Sequence, residues 1–533
     1  MHVTYLPWLS TLAEGIVAAY AAALFLSLIH RRVAEVVTPI GCTAALVMAV
    51  IAAYGVLYLH GFATALDNLV ALDPIGVWGL LVVGLLGFFE SIYSIGYVRW
   101  DRMISEKFAR VYYLLFNATM LAMAMAVLSN NIVFMWVAIE ATTLATAFLV
   151  GLHRTSTAVE AAWKYIIICG VGVGFALFGT ALVYNAALMS GIPASSAITW
   201  LGLVYYGKLL AHTKAMTLLK LGLLLITLGY ATKAGLFPLH VWLPDAHSEA
   251  PTPISAILSG VIVKCALIVI LRWYALASAI GLTNYVGLVL LIMGLASIIV
   301  GSLAILVQRD IKRLFAYSTV DQVGMISTAM GVGGTLGVLA AVLHVLYHAL
   351  AKALAFMGSG LVMMFTGGER DMERLRGLID RGLRVSAGII TLAVLGVVAV
   401  PPGPSFYSKV LLFFASIHCN PVVPAIVLLG ILLGEGTLMY RTMTLVFSTA
   451  REHSHEAVRS EGLSLAMARD GGEEVTEYSE RGAWSCKIAC FLLAALVLGL
   501  FAGVTQYVAI AHQPMHEVVY ASKYVAQVMG LHG

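Results

Sequence analysis

Ala231-Thr232-Lys233-Ala234-Gly235-Leu236-Phe237-Pro238-Leu239-His240-Val241-Trp242-Leu243-Pro244-Asp245-Ala246-His247 closes an apolar run that begins at Leu218. A lysine ammonium in hydrocarbon is costly, and proline lacks the N–H that a continuing helix needs, which frees a carbonyl. Irregular backbone at membrane depth must be held by protein or by a polar cavity. The stretch therefore predicts a membrane helix broken around a protonatable site, in a protein that handles ions.

The rest of the chain agrees with that environment. Hydrophobic residues make up 61% of the 533 and charged residues 11%, with a mean hydropathy of +0.95. A soluble domain carries about 25% charged residues. Apolar segments of about 18 to 25 residues suit helices crossing a ~30 Å hydrocarbon layer and exclude the short alternating strands of an outer-membrane barrel. We read an all-α integral membrane protein with about 14 transmembrane helices. The seventh span, with Lys233 and Pro238, has a counterpart in the twelfth, Pro401-Pro402-Gly403-Pro404-Ser405-Phe406-Tyr407-Ser408-Lys409. Broken helices at corresponding places, each with a lysine, point to two inverted five-helix repeats around a mid-membrane ion site. Residues 1–110 are read as peripheral N-terminal spans, 111–276 as the first repeat, 284–448 as the second, 449–485 as a polar cytoplasmic loop, and 486–533 as a last span and tail.

The first segment lacks a basic n-region, and Glu14 interrupts it, so it is read as a retained span rather than a cleaved signal. Basic residues sit in the loops after odd-numbered spans: Arg31 and Arg32, Arg99 to Arg110, Arg154, Arg309 to Arg313, Arg370 to Arg384, and Arg451 to Arg481. The positive-inside bias makes those loops cytoplasmic and both termini external, in a bacterial or archaeal cell (inner) membrane. The net charge of +4 reports topology, and no basic–aromatic run suggests nucleic acid.

Six cysteines at 42, 169, 265, 419, 486 and 490 form no C-x-x-C pair, so no metal or iron–sulfur centre is expected. Cys486 and Cys490 read as packing residues. There is no G-x-x-x-x-G-K-[ST] loop, and the glycines at 170, 172 and 174 lie mid-span, where close helix packing explains them. No cofactor is expected on this chain, which argues against ATP-driven transport and against electron transfer within it.

The intramembrane ionisable groups then form a series: Glu140 in the fifth span, Lys164 in the sixth, Lys233, Lys264 in the eighth, His344, His348 and Lys352 in the eleventh, and Lys409 in the twelfth. The spacing i, i+4, i+8 puts His344, His348 and Lys352 on one helix face. Each has a plainer reading. A lysine near a helix end can snorkel, which competes most strongly for Lys164, and a histidine can simply bond a carbonyl of a neighbouring helix. Arg272 is expected to anchor at the interface; Glu14, Glu90, Asp321 and Glu435 can be satisfied locally. A Glu140–Lys233 approach of ~4 Å at an effective dielectric near 20 would be worth about 4 kcal/mol.

Residues 231–258, with Lys312-Arg313-Leu314-Phe315-Ala316-Tyr317-Ser318-Thr319 and His344-Val345-Leu346-Tyr347-His348-Ala349-Leu350-Ala351-Lys352, resemble the antiporter-like subunits of respiratory complex I, multisubunit Na⁺/H⁺ antiporters and group 4 hydrogenases. Trp136 to Thr143 and Glu160 to Tyr165 are most similar to hydrogenase-4 component F, the formate hydrogenlyase-type subunit. Two positions depart from relatives: Asp321 stands where they often have Glu or Ser, and Lys409 where the complex I subunit-4 branch has a glutamate. The chain is read as ending after span fourteen, without the long lateral helix expected of the subunit-5 type.

The resemblance implies a proton-translocating subunit of a redox-driven complex. Glu140, Lys164, Lys233, Lys264, His344, His348, Lys352 and Lys409 would form its relay, and Pro238, Pro402 and Pro404 its helix breaks. It implies partners: other membrane-arm subunits and a peripheral, hydrogenase-like redox arm that supplies the metal centres. It leaves a cation/proton antiporter subunit, or a complex I-type quinone oxidoreductase subunit, as alternatives, with H⁺ or Na⁺ as the ion. A passive membrane scaffold for a hydrogenase is the alternative of another kind.

Overall fold

The structure, a computed structural model, describes residues 4–449 and 483–502 together with 511, 512, 514–516 and 519. Most of the expected cytoplasmic loop at 449–485, and most of the tail beyond 502, lie outside the described residues. The described residues are mainly helical: α1 (Pro7–Leu26), α2 (Arg31–Ala53), α3 (Pro74–Trp100), α4 (Glu106–Leu128), α5 (Ile132–Val150), α6 (Ser156–Met189), the short α7 (Ala194–Ala197), α8 (Trp200–Tyr205) and α9 (Gly207–Ala211), then α10 (Met216–Ala234), α11 (Trp242–Glu249), α12 (Thr252–Ile257), α13 (Val263–Ile280), α14 (Thr283–Val307), α15 (Ile311–Val332), α16 (Gly334–Phe365), α17 (Arg384–Val397), α18 (Pro404–Ile417), α19 (Val422–Leu429), α20 (Gly436–Phe447) and α21 (Trp484–Ala502). Among the described residues, eleven helices are long and apolar enough to cross a membrane, and Arg384–Val397, Pro404–Ile417 and Trp484–Leu500 are shorter apolar helices. The all-α membrane architecture is as expected. The sequence reading had no strand, and the structure adds one small sheet, in which β1 (Thr4–Tyr5) pairs parallel with β2 (Gly61–Ala65), itself antiparallel to β3 (Val70–Leu72).

Helix starts are set by side-chain caps that satisfy the first free N–H groups. Asn131 accepts from the N–H groups of Val133 and Phe134 at the head of α5, and Asp310 from those of Lys312 and Arg313 at the head of α15. Asp73 caps α3 by accepting from Gly76 N–H at 2.6 Å, and its other oxygen takes Arg272 Nη1 at 2.6 Å, both side chains fully buried. Arg272 is thus a buried clamp between α3 and α13. That corrects its expected interfacial role, because the cap gives the guanidinium a carboxylate inside the bundle.

The run from α12 through α13 and the 32-residue α16 are buried along their whole apolar windows. A helix apolar on every face belongs at the centre of a bundle. These two central helices carry Lys264, His344, His348 and Lys352. Around them small residues let backbones approach: a Cβ on Gly179 of α6 would meet Gly222 O of α10 at 2.5 Å, and one on Gly222 would meet Gly179 O at 2.9 Å.

Both expected breaks are present. Helix α10 ends at Gly235, whose φ of +75° is the left-handed cap that glycine adopts without a Cβ penalty, and Leu236 N–H returns to Ala231 O at 3.0 Å. The chain turns through the cis Phe237–Pro238 bond into α11. Carbonyls freed there are taken by side chains: Trp242 Nε1 donates to Thr232 O at 2.9 Å, Ser255 Oγ to His247 O at 2.7 Å, and Lys312 Nζ to Ala250 O at 2.6 Å. The second break separates α17 from α18 through the cis Pro401–Pro402 bond, and Pro404 opens α18. Two further interruptions are single π turns, Leu258–Ile262 between α12 and α13 and Gly430–Glu435 between α19 and α20, a device frequent at functional sites.

Candidate functional site: a buried file of charges

Lys233 occupies the last turn of α10 with no solvent exposure. Its Nζ donates to Thr143 Oγ1 at 2.9 Å and to Tyr165 OH at 2.5 Å, and lies 4.7 Å from the Tyr165 ring centroid. Tyr165 is itself pinned, stacked on Trp242 with centroids 4.5 Å apart and its hydroxyl 2.9 Å from Thr146 Oγ1. Thr143 Oγ1 in turn donates to Glu140 Oε2 at 3.4 Å, one turn back along α5. The carboxylate and the amine are therefore joined through a hydroxyl rather than by the direct contact considered from the sequence. Thr143 stands between them, and the ~4 kcal/mol attached to a 4 Å pair is an upper bound. Glu140 is half-buried, at the α5–α6 side of the bundle.

Lys164 lies elsewhere. Its Nζ is 2.6 Å from Glu160 Oε1 and 3.1 Å from Asp245 Oδ2, its side chain is 45% exposed, and Asp245 also holds Arg313 Nη1 at 3.0 Å. The structure does not bring it into the buried group; it belongs to a surface ion chain of the kind that contributes about 0–1 kcal/mol per pair.

Lys264 follows the π turn, and its Nζ donates to the Ser259 carbonyl that the wide turn releases. Ser259 Oγ lies 2.7 Å from Thr319 Oγ1, and Phe315 O, on the same helix as Thr319, accepts Lys352 Nζ at 2.9 Å. His348 stacks on His344, with centroids 5.8 Å apart and planes at 10°. Neither ring nitrogen of His348 has a hydrogen-bond partner among the described residues. The same is true of His247, which stacks on Phe356 at 5.1 Å.

The second break carries the most connected cluster. Lys409 Nζ is 2.5 Å from Glu435 Oε1, with exposures of 1% and 2%, and also donates to Val397 O, the last carbonyl of α17. Glu435 Oε2 accepts the N–H of Ala399 at 2.6 Å, so the pair is tied to one carbonyl and one N–H at the interruption. Gln322 Nε2 donates to Glu435 Oε1 at 2.9 Å and to Asp321 Oδ2 at 2.7 Å, while Asp321 Oδ1 accepts Ser302 Oγ at 3.1 Å. His344 completes the cluster, Nε2 lying 3.0 Å from Gln322 Oε1 and Nδ1 2.8 Å from Ser408 Oγ.

Seven of the eight sequence candidates thus lie in or beside the interior file, and Lys164 does not. Sequence reading missed the role of Glu435 and Asp321, assigned to local bonding, and passed over Thr143, Tyr165, Gln322 and Ser408. One signal was available: Glu435 has no basic residue three or four positions away, so a buried carboxylate there needs a cation from another helix. Among the described residues no group of three or more His, Cys, Asp or Glu side chains could hold a metal ion.

A polytopic helical bundle with two interrupted spans and an interior row of lysines, histidines and carboxylates defines a class of membrane protein built for ion handling. Residues 129–434 match the transmembrane family described as NADH:quinone oxidoreductase/Mrp antiporter, and the chain belongs to that family. It is 36% identical over 385 residues to a hydrogenase-4 component F homolog of Methylacidiphilum infernorum (isolate V4), covering 72% of this chain and 80% of the relative. It is 30% identical over 355 residues to hydrogenase-4 component B of Escherichia coli (strain K12), covering 64% of this chain and half of that protein. In fold it is similar to a chain of the Mrp complex from Dietzia sp. DQ12-45-1b, with a TM-score of 0.80 at 19% identity over 98% of this chain and all of that one. The protein is an antiporter-like membrane subunit.

Proposed function

We propose that this chain carries protons across the membrane as one subunit of a redox-driven complex of the group 4 hydrogenase or formate hydrogenlyase type, with the metal centres on partner subunits. Its similarity to a hydrogenase-4 component F homolog supports the choice of complex. The observation that carries the ion reading is the pairing of each broken helix with a buried lysine, Lys233 beside α10's end and Lys409 across the α17–α18 gap, joined by buried Lys264, His344, His348 and Lys352. Isolated charges in hydrocarbon are retained where they mark an ion path. Protons enter near Glu140, pass through Thr143 to Lys233, cross by Lys264, Lys352 and the two histidines, and leave by Lys409 and Glu435, with water bridging the longer gaps. In this reading the chain has about 14 spans, two inverted repeats at 111–276 and 284–448, and both termini on the outer side of a bacterial or archaeal cell membrane.

The family description also names an antiporter, and the competing reading is a cation/proton antiporter subunit with sodium as the ion. Proteoliposomes of the assembled complex, driven by redox turnover, separate the two with an internal pH dye and radiolabelled sodium. We expect the pH change to persist at full rate in sodium-free buffer. Acidification that requires sodium, with label moving in proportion to turnover, would reassign the site to cation/proton exchange.

A further inference from the structure

The hydrogen bonds around His344 fix which of its nitrogens can exchange a proton. Gln322 has two N–H donors, and both are spent: one on Asp321 Oδ2 at 2.7 Å, the other on Glu435 Oε1 at 2.9 Å. Carboxylate oxygens accept and do not compete as donors, so the amide cannot turn over, and its Oε1 is the atom presented to His344 Nε2 at 3.0 Å. An amide oxygen only accepts. Nε2 must therefore carry hydrogen whether the ring is neutral or charged. The titrating nitrogen is Nδ1, whose partner is Ser408 Oγ at 2.8 Å, and Ser408 Oγ also lies 3.0 Å from Ser405 O.

We propose that Gln322 is a positioning residue that locks the His344 tautomer, and that Ser408 is a two-position hydroxyl that lets His344 gain and lose its proton at Nδ1 without leaving a buried group unbonded. With neutral imidazole, Ser408 O–H donates to the Nδ1 lone pair. When a hydronium ion delivers a proton and is left as water, the Ser408 hydroxyl proton swings to Ser405 O, the freed Nδ1 lone pair forms the new N–H bond, the ring becomes imidazolium, and Nδ1–H donates to Ser408 Oγ. Returning the proton to water reverses each change. Every donor has an acceptor in both states, and an unpaired buried group is the main cost that would otherwise trap the ring in one of them. The charged groups nearest this switch are Lys409, next to Ser408 in the chain, the Asp321 and Glu435 carboxylates behind Gln322, and Lys264 and Lys352 beyond His348. The partner ring of His348 stacks on the face of His344 and takes no part in the lock.

The functional part of this inference rests on the proton-translocation reading; the tautomer does not. Nitrogen-15 NMR of the full chain labelled at histidine, with His344→Asn as the assignment control, should show neutral His344 protonated at Nε2 and bare at Nδ1. Gln322→Leu should convert that signal to a mixture of both tautomers. A wild-type His344 already protonated at Nδ1 and bare at Nε2 overturns the proposal. In the assembled complex, Ser408→Ala should slow proton movement about tenfold, the size of one lost hydrogen bond to a charged group, and Ser408→Thr should restore it. If Ser408→Ala pumps at the wild-type rate while Lys233→Ala stops pumping, the Nδ1 switch is wrong and translocation stands. If Lys233→Ala also pumps normally, the translocation reading fails and the spectrum alone decides the tautomer.

Discussion

Lys233→Ala lowers redox-driven proton movement about 100-fold or more while the electron donor continues to be consumed. A positioned group that accepts and passes on a proton typically contributes factors of this size. The geometry makes the position hard to replace. Lys233 is the ammonium held by the Thr143 and Tyr165 hydroxyls, and the next buried cation, Lys264 on α13, is committed to the Ser259 carbonyl of its own helical run. Truncation leaves two hydroxyls facing a gap where the charge was, and Glu140 loses the cation it addresses through Thr143. An internal pH dye in proteoliposomes of the assembled complex reads the effect, with donor oxidation followed in parallel. Unchanged pumping at unchanged turnover would remove Lys233 from the path.

Glu435→Ala should cost about 3–5 kcal/mol of stability, because it strips the partner from a buried ammonium instead of removing the pair. Lys409 keeps only Val397 O, while Ala399 N–H and one Gln322 N–H lose their acceptor at the same stroke. The denaturation midpoint of the detergent-solubilised protein measures the loss. Adding Lys409→Met should recover most of it, since two apolar groups in place of a buried pair are often tolerated, yet the double variant should still fail to move protons. Equal stability of the single variant and the wild type would mean that the pair is not formed.

The fold was largely legible because its signals are local. Hydropathy over about 20 consecutive residues marks a span, and Gly235 before Pro238, or Pro401 to Pro404, marks a break wherever the surrounding helices sit. The site was legible only as far as residue type and helix face go. Lys233, Lys264, His344, His348, Lys352 and Lys409 could be listed because charge in an apolar run is rare. What most of them bond could not, since those partners come from another helix: Thr143 from α5, Phe315 from α15, Glu435 from the π turn before α20. Lys164 shows the same blindness in reverse. It lies near the start of α6, where Glu160 one turn back and Asp245 on α11 hold it at the surface. Arg272 was misplaced for want of Asp73, 199 residues away in sequence.

The central claim is that a proton path, and not merely a membrane anchor, runs through this chain, and Glu140→Gln tests it most directly. The substitution keeps the shape and a hydrogen bond to Thr143 while removing the charge. Redox-driven proton uptake by proteoliposomes of the Glu140→Gln complex, normalised to the amount of fully assembled complex, should fall to a few per cent or less of wild type, with assembly intact. Normal uptake by a normally assembled complex, or a loss that only tracks failed assembly, would contradict it and leave a scaffold.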